Sequence, residues 1–140
     1  MPSMEAASNT TVYIVEDSPP LRERLRDLLS LARDVAVVGE AGSPAEAIDG
    51  IRHAAPHCVV LDYQLDGGTG VDVLNAVSGG LPGTVFIMLT NHIDAYTRRI
   101  CEAAGARYFL DKSTEFMRVG AILAQMRAEG AAANRGAVPR

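Results

Sequence analysis

The stretch TTVYIVEDSPPLRERL, residues 10–25, joins a run of apolar, β-branched residues directly to an amphipathic helical pattern. The apolar run is typical of a buried strand. Ser18 can cap the helix that follows, and the two prolines after it suit the first helical turn. Two acids, Glu16 and Asp17, stand where the strand ends. Because a charge at the end of a buried strand needs a cationic partner, the stretch predicts a strand, a helix and a polar site between them.

An apolar run followed by an amphipathic stretch recurs along the whole chain. The runs are continuously apolar and do not alternate, which indicates strands buried on both faces of a parallel sheet. We therefore predict an α/β fold, a doubly wound five-stranded parallel sheet with five helices on its two sides. The predicted strands cover residues 10–16, 35–41, 57–63, 84–90 and 106–112, and the predicted helices cover residues 19–32, 43–54, 70–78, 94–104 and 113–129.

Length and composition fit one folded domain. The chain has 140 residues, of which 48% are hydrophobic and 21% are charged, so a packed core is expected. We assign residues 10–129 to this domain and predict that residues 1–9 form a flexible N-terminus. Residues 130–140 are small, polar and without a periodic pattern, which predicts a flexible C-terminal tail.

Charge and hydropathy exclude several classes of protein. The net charge is −4 and there is no helix-turn-helix segment or basic face, so we expect no direct DNA binding. No apolar run has the length of a membrane span and no signal pattern opens the chain, so we expect a cytoplasmic protein without membrane association. The two cysteines are expected to be reduced thiols.

Polar residues stand at the carboxyl ends of the predicted strands. Glu16 and Asp17 end the first strand, Asp62 the third, Thr90 the fourth and Lys112 the fifth. In a parallel sheet these ends share one crevice, where such sheets bind ligands. Three carboxylates in one site require a cation, and oxygen ligands without His or Cys suit Mg²⁺, with Mn²⁺ as an alternative. The lysine and the hydroxyl are suited to hold a phosphoryl anion beside that cation.

Four stretches, VYIVEDS, VVLDYQLDGGTGVDVL, VFIMLTN and AGARYFLDKS, resemble the receiver domain of two-component response regulators, the CheY-like superfamily. The resemblance covers residues 10–128. It implies a flavodoxin-like fold with strand order 2-1-3-4-5. It also implies that the protein is not an enzyme in the ordinary sense, because a receiver domain catalyses only its own phosphorylation and dephosphorylation.

The resemblance implies a role for each acid of the set. Asp62 resembles the aspartate that accepts the phosphoryl group from a sensor histidine kinase in the presence of Mg²⁺. Asp17 is expected to bind the metal directly and Glu16 through water, and Asp62 itself belongs to the expected metal-binding set. The backbone carbonyl of Gln64 is expected to supply a further metal ligand.

The resemblance also implies how phosphorylation is transmitted. Thr90 is expected to bond a phosphoryl oxygen, and Lys112 to pair with Asp62 or its phosphoryl group. Phe109 lies where the family has its switch aromatic, although plain core packing is the alternative for this side chain. The movement of Thr90 and Phe109 would change the face formed by the fourth helix, the fifth strand and the fifth helix.

Three residues near the site depart from the family pattern. Asp66 stands where proline is common, and Asn91 where a very small residue is usual. Together with His92 they are expected to form the rim of the site. Gln64 and His92 flank its entrance and are expected to tune the lifetime of the phosphoryl group. Ser113 follows Lys112 where proline is frequent, so we expect a trans peptide bond there.

Three functions are compatible with these residues to different degrees. The first is a stand-alone signalling switch whose output is an unknown downstream protein or self-association through the face described above. The second is a phosphorelay intermediate that passes phosphate from Asp62 to a histidine phosphotransfer protein. The third is a hydrolase, which would need a second acid close after Asp62. Gln64 stands there and cannot shuttle a proton.

Overall fold

A computed structural model of the chain describes residues 9–137, and side chains as far as residue 129. Within this range the predicted alternation of strands and helices is confirmed. The strands are β1 (Thr10–Val15), β2 (Val35–Ala41), β3 (Cys58–Leu61), β4 (Val85–Thr90) and β5 (Ala106–Asp111). The helices are α1 (Pro19–Ser30), α2 (Pro44–Ala54), α3 (Gly70–Val77), α4 (Ala95–Ala104) and α5 (Arg118–Ala137). Between β3 and α3, the short segments Gln64–Leu65 and Gly68–Thr69 pair as an antiparallel hairpin.

The five strands form one parallel sheet in the order β2-β1-β3-β4-β5, which confirms the predicted fold. Alternate residues of β1 belong to different cores. Val12 and Ile14 lie in a cluster with residues of α1 and α5, whereas Tyr13 and Val15 lie in a cluster with residues of α2, α3 and α4. Helices therefore cover both faces of the sheet, which explains why residues 12–15 of β1 are continuously apolar.

The serines at the starts of the first two helices behave differently. Ser18 holds the N-cap position of α1, but its side chain makes no capping hydrogen bond. Ser43 does cap α2, since its hydroxyl accepts a hydrogen bond from the backbone N–H of Glu46 at 3.4 Å and donates one to the Glu46 carboxylate at 3.2 Å. At the start of the first helix, Ser18 instead takes part through its backbone: its carbonyl accepts from the Arg22 N–H at 3.0 Å, and its N–H donates to Glu16 Oε2 at 3.1 Å.

The final helix begins later and extends further than predicted. Ser113 and Glu115 lie in a turn before the helix, because Asp111 binds both: its carboxylate accepts from the Ser113 N–H at 2.9 Å and its carbonyl from the Glu115 N–H at 2.7 Å. The backbone of α5 continues past Glu129 to Ala137, through the alanines at 131–133, which have high helix propensity.

The predicted flexibility of both chain ends stays a prediction. Residues 1–8 and 138–140, and the side chains from 130 onward, lie outside the described residues. Within the part of the chain that the structure describes, no helix combines the length and the apolar character needed to cross a membrane.

Candidate functional site

The carboxyl ends of β1 and β3 bring three acids together. Glu16 and Asp17 directly follow β1 and Asp62 directly follows β3, and the two strands are neighbours in the sheet. One carboxylate oxygen from each of the three residues lies within 4.8 Å of the others. Glu16 and Asp62 are buried, whereas Asp17 is exposed to solvent. The predicted acidic cluster is therefore present, with one open side.

Lys112 bridges two of these acids. Its Nζ donates to Asp62 Oδ2 at 2.6 Å and to Glu16 Oε1 at 2.7 Å. Only 11% of the Lys112 side chain is exposed, so solvent screens both contacts weakly. The Lys112 N–H donates to the Thr90 carbonyl at 2.9 Å, which fixes the lysine beside the end of β4. The Lys112–Ser113 peptide bond is trans, as predicted.

Burial and ion pairing change the pKa values of Glu16 and Lys112. Burial raises the pKa of Glu16, and the hydrogen bond and charge of Lys112 offset that effect only in part. Burial alone would lower the pKa of Lys112, but the hydrogen bonds and charges of Asp62 and Glu16 outweigh it, so that pKa is raised. The lysine is thus held firmly in its charged form.

The remaining oxygens of the two buried acids accept bonds from backbone N–H groups. The Ser18 N–H donates to Glu16 Oε2 at 3.1 Å, and the Tyr63 N–H donates to Asp62 Oδ1 at 2.7 Å. The cluster still contains three carboxylates and one ammonium group. This surplus of negative charge and the oxygen-only donor set fit a divalent cation such as Mg²⁺ or Mn²⁺.

Thr90 lies at the end of β4 with its side chain fully buried. Its hydroxyl accepts a hydrogen bond from the His92 N–H at 3.1 Å and lies 3.4 Å from His92 Nδ1. The His92 ring packs at 5.2 Å between centroids against the ring of Tyr63, the residue after Asp62. His92 thus connects the loop after β4 to the loop after β3.

The other predicted rim residues lie on the loops around the cluster. The Ser113 hydroxyl donates to Asn91 Oδ1 at 3.1 Å. Asp66 is exposed at the tip of the hairpin, and its N–H donates to the Gly42 carbonyl at 3.2 Å. The structure places Gln64 in the first segment of the hairpin, and the role of its carbonyl as a metal ligand stays a prediction.

Phe109 lies in β5 and is only 6% exposed. Its ring belongs to the core cluster beneath α2, α3 and α4. The guanidinium carbon of Arg98, on α4, stands 5.0 Å from the centre of the ring. The ring therefore connects the core to the outer surface of α4, and any rotation of it would alter the contact with Arg98.

Gly70 allows the chain to turn tightly behind Asp62. The Gly70 N–H donates to the Tyr63 carbonyl at 2.7 Å. A Cβ atom at position 70 would collide with the backbone carbonyl oxygen of Asp62. The glycine therefore lets α3 start directly against the loop that carries Asp62.

Sequence reasoning missed two residues that support the cluster. Arg22 on α1 donates from Nη1 to the backbone carbonyl of Glu16 at 2.6 Å. Glu40, at the end of β2, forms ion pairs with Arg22 at 3.5 Å and with Arg26 at 2.6 Å. The available signal was the position of Glu40 at a strand end, with two arginines one helical turn apart on α1.

Comparison with known proteins gives a family match over most of the chain. The family model of the response regulator receiver domain matches residues 12–124. The DNA-binding transcriptional activator DevR/DosR of Mycobacterium tuberculosis is 32% identical over 108 residues, which are 77% of this chain and 50% of that protein. The nitrate/nitrite response regulator protein NarP of Escherichia coli is 31% identical over 122 residues, which are 86% of this chain and 57% of that protein.

A solved structure shows the same architecture. The signal receiver domain of the response regulator NarL from Mycobacterium tuberculosis has a TM-score of 0.77 and 30% sequence identity, and the match covers 86% of this chain and 97% of that chain. The chain spans about half the length of the two curated relatives named above.

Replacement of Lys112 by methionine tests the electrostatic balance of the cluster. The variant leaves the buried carboxylates of Glu16 and Asp62 without their cation, so the free energy of unfolding in metal-free buffer should fall by about 3 kcal/mol. Urea denaturation measures the change. Arg118→Met is the matched control, because the Arg118–Glu115 pair is largely exposed and its loss should cost less than about 1 kcal/mol. Equal losses in the two variants would contradict a buried, interdependent cluster.

Proposed function

The chain belongs to the response regulator receiver domain family, and from this premise we propose that it is a phosphorylation-dependent signalling switch that accepts a phosphoryl group on Asp62. Phosphorylation and a requirement for Mg²⁺ are general features of the family. The observation that carries the assignment to Asp62 is the convergence of Glu16, Asp17 and Lys112 on this carboxylate.

The proposed reaction transfers a phosphoryl group from the histidine of a sensor kinase. An oxygen of the Asp62 carboxylate attacks phosphorus, the new O–P bond forms, and the N–P bond to the histidine breaks with its electron pair returning to the imidazole. Each Asp62 oxygen accepts one hydrogen bond in the structure, so each keeps a lone pair for this attack. Bound Mg²⁺ would neutralise charge on the carboxylate and on the phosphoryl oxygens.

The residues around Asp62 have separate tasks in this proposal. Asp17 would bind the metal directly and Glu16 through water, and Asp62 and the backbone carbonyl of Gln64 would supply the further protein ligands. Lys112 forms an ion pair with the Asp62 carboxylate in the free protein and would form one with a phosphoryl oxygen after transfer. Receiver domains are signalling domains, and we propose no activity for this one beyond its own phosphorylation and dephosphorylation.

Thr90 and Phe109 would transmit phosphorylation of Asp62 to the α4–β5–α5 face. In the structure the Thr90 hydroxyl is bonded to the His92 N–H. A phosphoryl oxygen would compete for this hydroxyl, draw it toward Asp62 and free space beside Phe109. Rotation of Phe109 would then change the contact with Arg98 on α4. Phosphorylation would thus shift the populations of two arrangements of the α4–β5–α5 face.

The proposed partners are a sensor histidine kinase and either a downstream protein or a second copy of the chain at the α4–β5–α5 face. The name of DevR/DosR describes a DNA-binding activator, but the described residues here form the receiver fold without an added DNA-binding domain. With a net charge of −4, we propose no direct contact with DNA by this region. Cys58 and Cys101 are buried free thiols, which fits a reducing compartment such as the cytoplasm.

Replacement of Asp62 by asparagine tests the acceptor directly. The amide cannot form the acyl phosphate, so incorporation from acetyl phosphate or phosphoramidate in Mg²⁺ should fall to background. Asp66→Asn is the matched control, since it removes an acid from the same loop without touching the cluster, and it should still be phosphorylated. The readout is the mass of the intact protein. Full incorporation into the Asp62 variant would show that another residue is the acceptor.

Beryllofluoride, a phosphoryl analogue, tests the switch. In Mg²⁺ it should shift backbone NMR signals between Thr90 and Phe109 more than those of α1. Thr90→Ala should reduce the shift at Phe109 while the shift at Asp62 persists, because only the connecting hydroxyl is lost. A response of equal size throughout the chain would contradict the proposed route. The half-life of the real acyl phosphate separates a switch, which holds the group, from a phosphorelay intermediate, which passes it on rapidly.

A further inference from the structure

Arg22 makes two contacts that link α1 to the acidic cluster. Its Nη1 donates to the backbone carbonyl of Glu16 at 2.6 Å, and its Nε lies 3.5 Å from Oε1 of Glu40. Only 24% of the side chain is exposed. An added Cβ at Gly42 would lie 3.2 Å from Arg22 Nη1 and 3.4 Å from the Cα of Asp17, so the guanidinium is packed closely against the backbone there.

The carbonyl that Arg22 holds belongs to the peptide unit between Glu16 and Asp17, the two acids that follow β1. The other polar atoms of Glu16 are also bonded. Its N–H donates to the Ala41 carbonyl at 2.9 Å, and its two carboxylate oxygens accept from Lys112 and from the Ser18 N–H. With the bond from Arg22, the Glu16 carbonyl also has a partner. The Glu16–Asp17 peptide is therefore held in place, and its orientation sets the direction of the Asp17 side chain.

Arg22 also lines a cavity beside Asp17. It shares a cavity of about 380 Å³ with four carboxylates, those of Asp17, Glu40, Glu46 and Asp66. A cation in this place has two opposite effects on a neighbouring divalent ion. Its charge repels the ion, whereas its hydrogen bond holds the peptide that presents the ligands.

We propose that Arg22 is a positioning residue for the metal site, and that its hydrogen bond to the Glu16 carbonyl outweighs its charge in setting Mg²⁺ affinity. The inference rests on the proposed function, because it takes Glu16 and Asp17 as the metal-binding acids. Glu40 serves as the anchor that holds the Arg22 guanidinium in place. Arg26 binds the same Glu40 at 2.6 Å but makes no described contact with Glu16.

The direction in which Mg²⁺ affinity changes distinguishes a positioning role of Arg22 from a purely electrostatic effect of its charge. Arg22→Gln removes both the guanidinium N–H donors and the positive charge. Arg22→Lys removes the guanidinium donors but keeps the positive charge. Positioning predicts that both variants bind Mg²⁺ about tenfold more weakly than the unaltered protein, the lower end of the range for residues that orient metal ligands. Charge alone predicts tighter binding by Arg22→Gln and unchanged binding by Arg22→Lys.

Arg26→Gln is the matched control. It removes one positive charge from the same ion-pair group on the same helix, so it should leave the Mg²⁺ dissociation constant unchanged or slightly lower. Magnesium titration followed by NMR gives the dissociation constant for each protein. In metal-free samples the amide signal of Asp17 should move in both Arg22 variants, because that N–H shares a peptide unit with the Glu16 carbonyl. The signal should stay in place in Arg26→Gln.

The outcomes distinguish this inference from the function on which it rests. If the unaltered protein binds no Mg²⁺ and takes up no phosphoryl group, the proposed function fails. If it does both, and either Arg22 variant binds Mg²⁺ as tightly as the unaltered protein, only the positioning role fails. Saturating Mg²⁺ should restore phosphorylation of the Arg22 variants to the normal rate, which a general loss of structure would prevent. Should Arg22→Gln not fold, Arg22→Lys carries the test alone.

Discussion

The structure depends on the burial of two carboxylates against one lysine at the carboxyl edge of the sheet. Glu16 and Asp62 directly follow the neighbouring strands β1 and β3, whereas Lys112 directly follows β5, which is separated from β3 by β4. The lysine reaches across because its stem is long and flexible, and its backbone is tied to Thr90 at the end of β4. The strand order therefore determines which side chains can meet, and Lys112 supplies the charge that permits two acids to be buried together.

Much of the fold could be predicted because local pattern and burial agree. The apolar run of β1 is continuous, since Val12 and Tyr13 point into cores on opposite faces of the sheet. The bounds of α5 were wrong because tertiary context decided them. Asp111 closes a turn that delays the start of the helix, an arrangement that no periodicity in residues 113–129 indicates. Ser18 likewise has the right residue type for a cap, but the loop conformation there uses its N–H and not its hydroxyl.

The sequence predicts which site residues stand at the strand ends, but it does not predict which of their atoms form contacts. Parallel pairing of the predicted strands places Asp17, Asp62 and Lys112 at one edge of the sheet. The bridge from Lys112 to both buried acids, and the bond from His92 to Thr90, depend on side-chain rotamers and loop paths that sequence pattern does not encode. Arg22 was missed for the same reason, because its partner is a backbone carbonyl, which carries no signature in the sequence.

The most direct test of the central claim is to locate the phosphoryl group chemically. Protein incubated with acetyl phosphate and Mg²⁺ is treated with borohydride, which reduces an aspartyl phosphate to the alcohol, and the modified residue is then identified by peptide mass spectrometry. The account predicts modification of Asp62, dependent on Mg²⁺, with Asp17 and Asp66 unmodified. Modification at any other acid, or equal modification of Asp62 after removal of Mg²⁺ by a chelator, would contradict it.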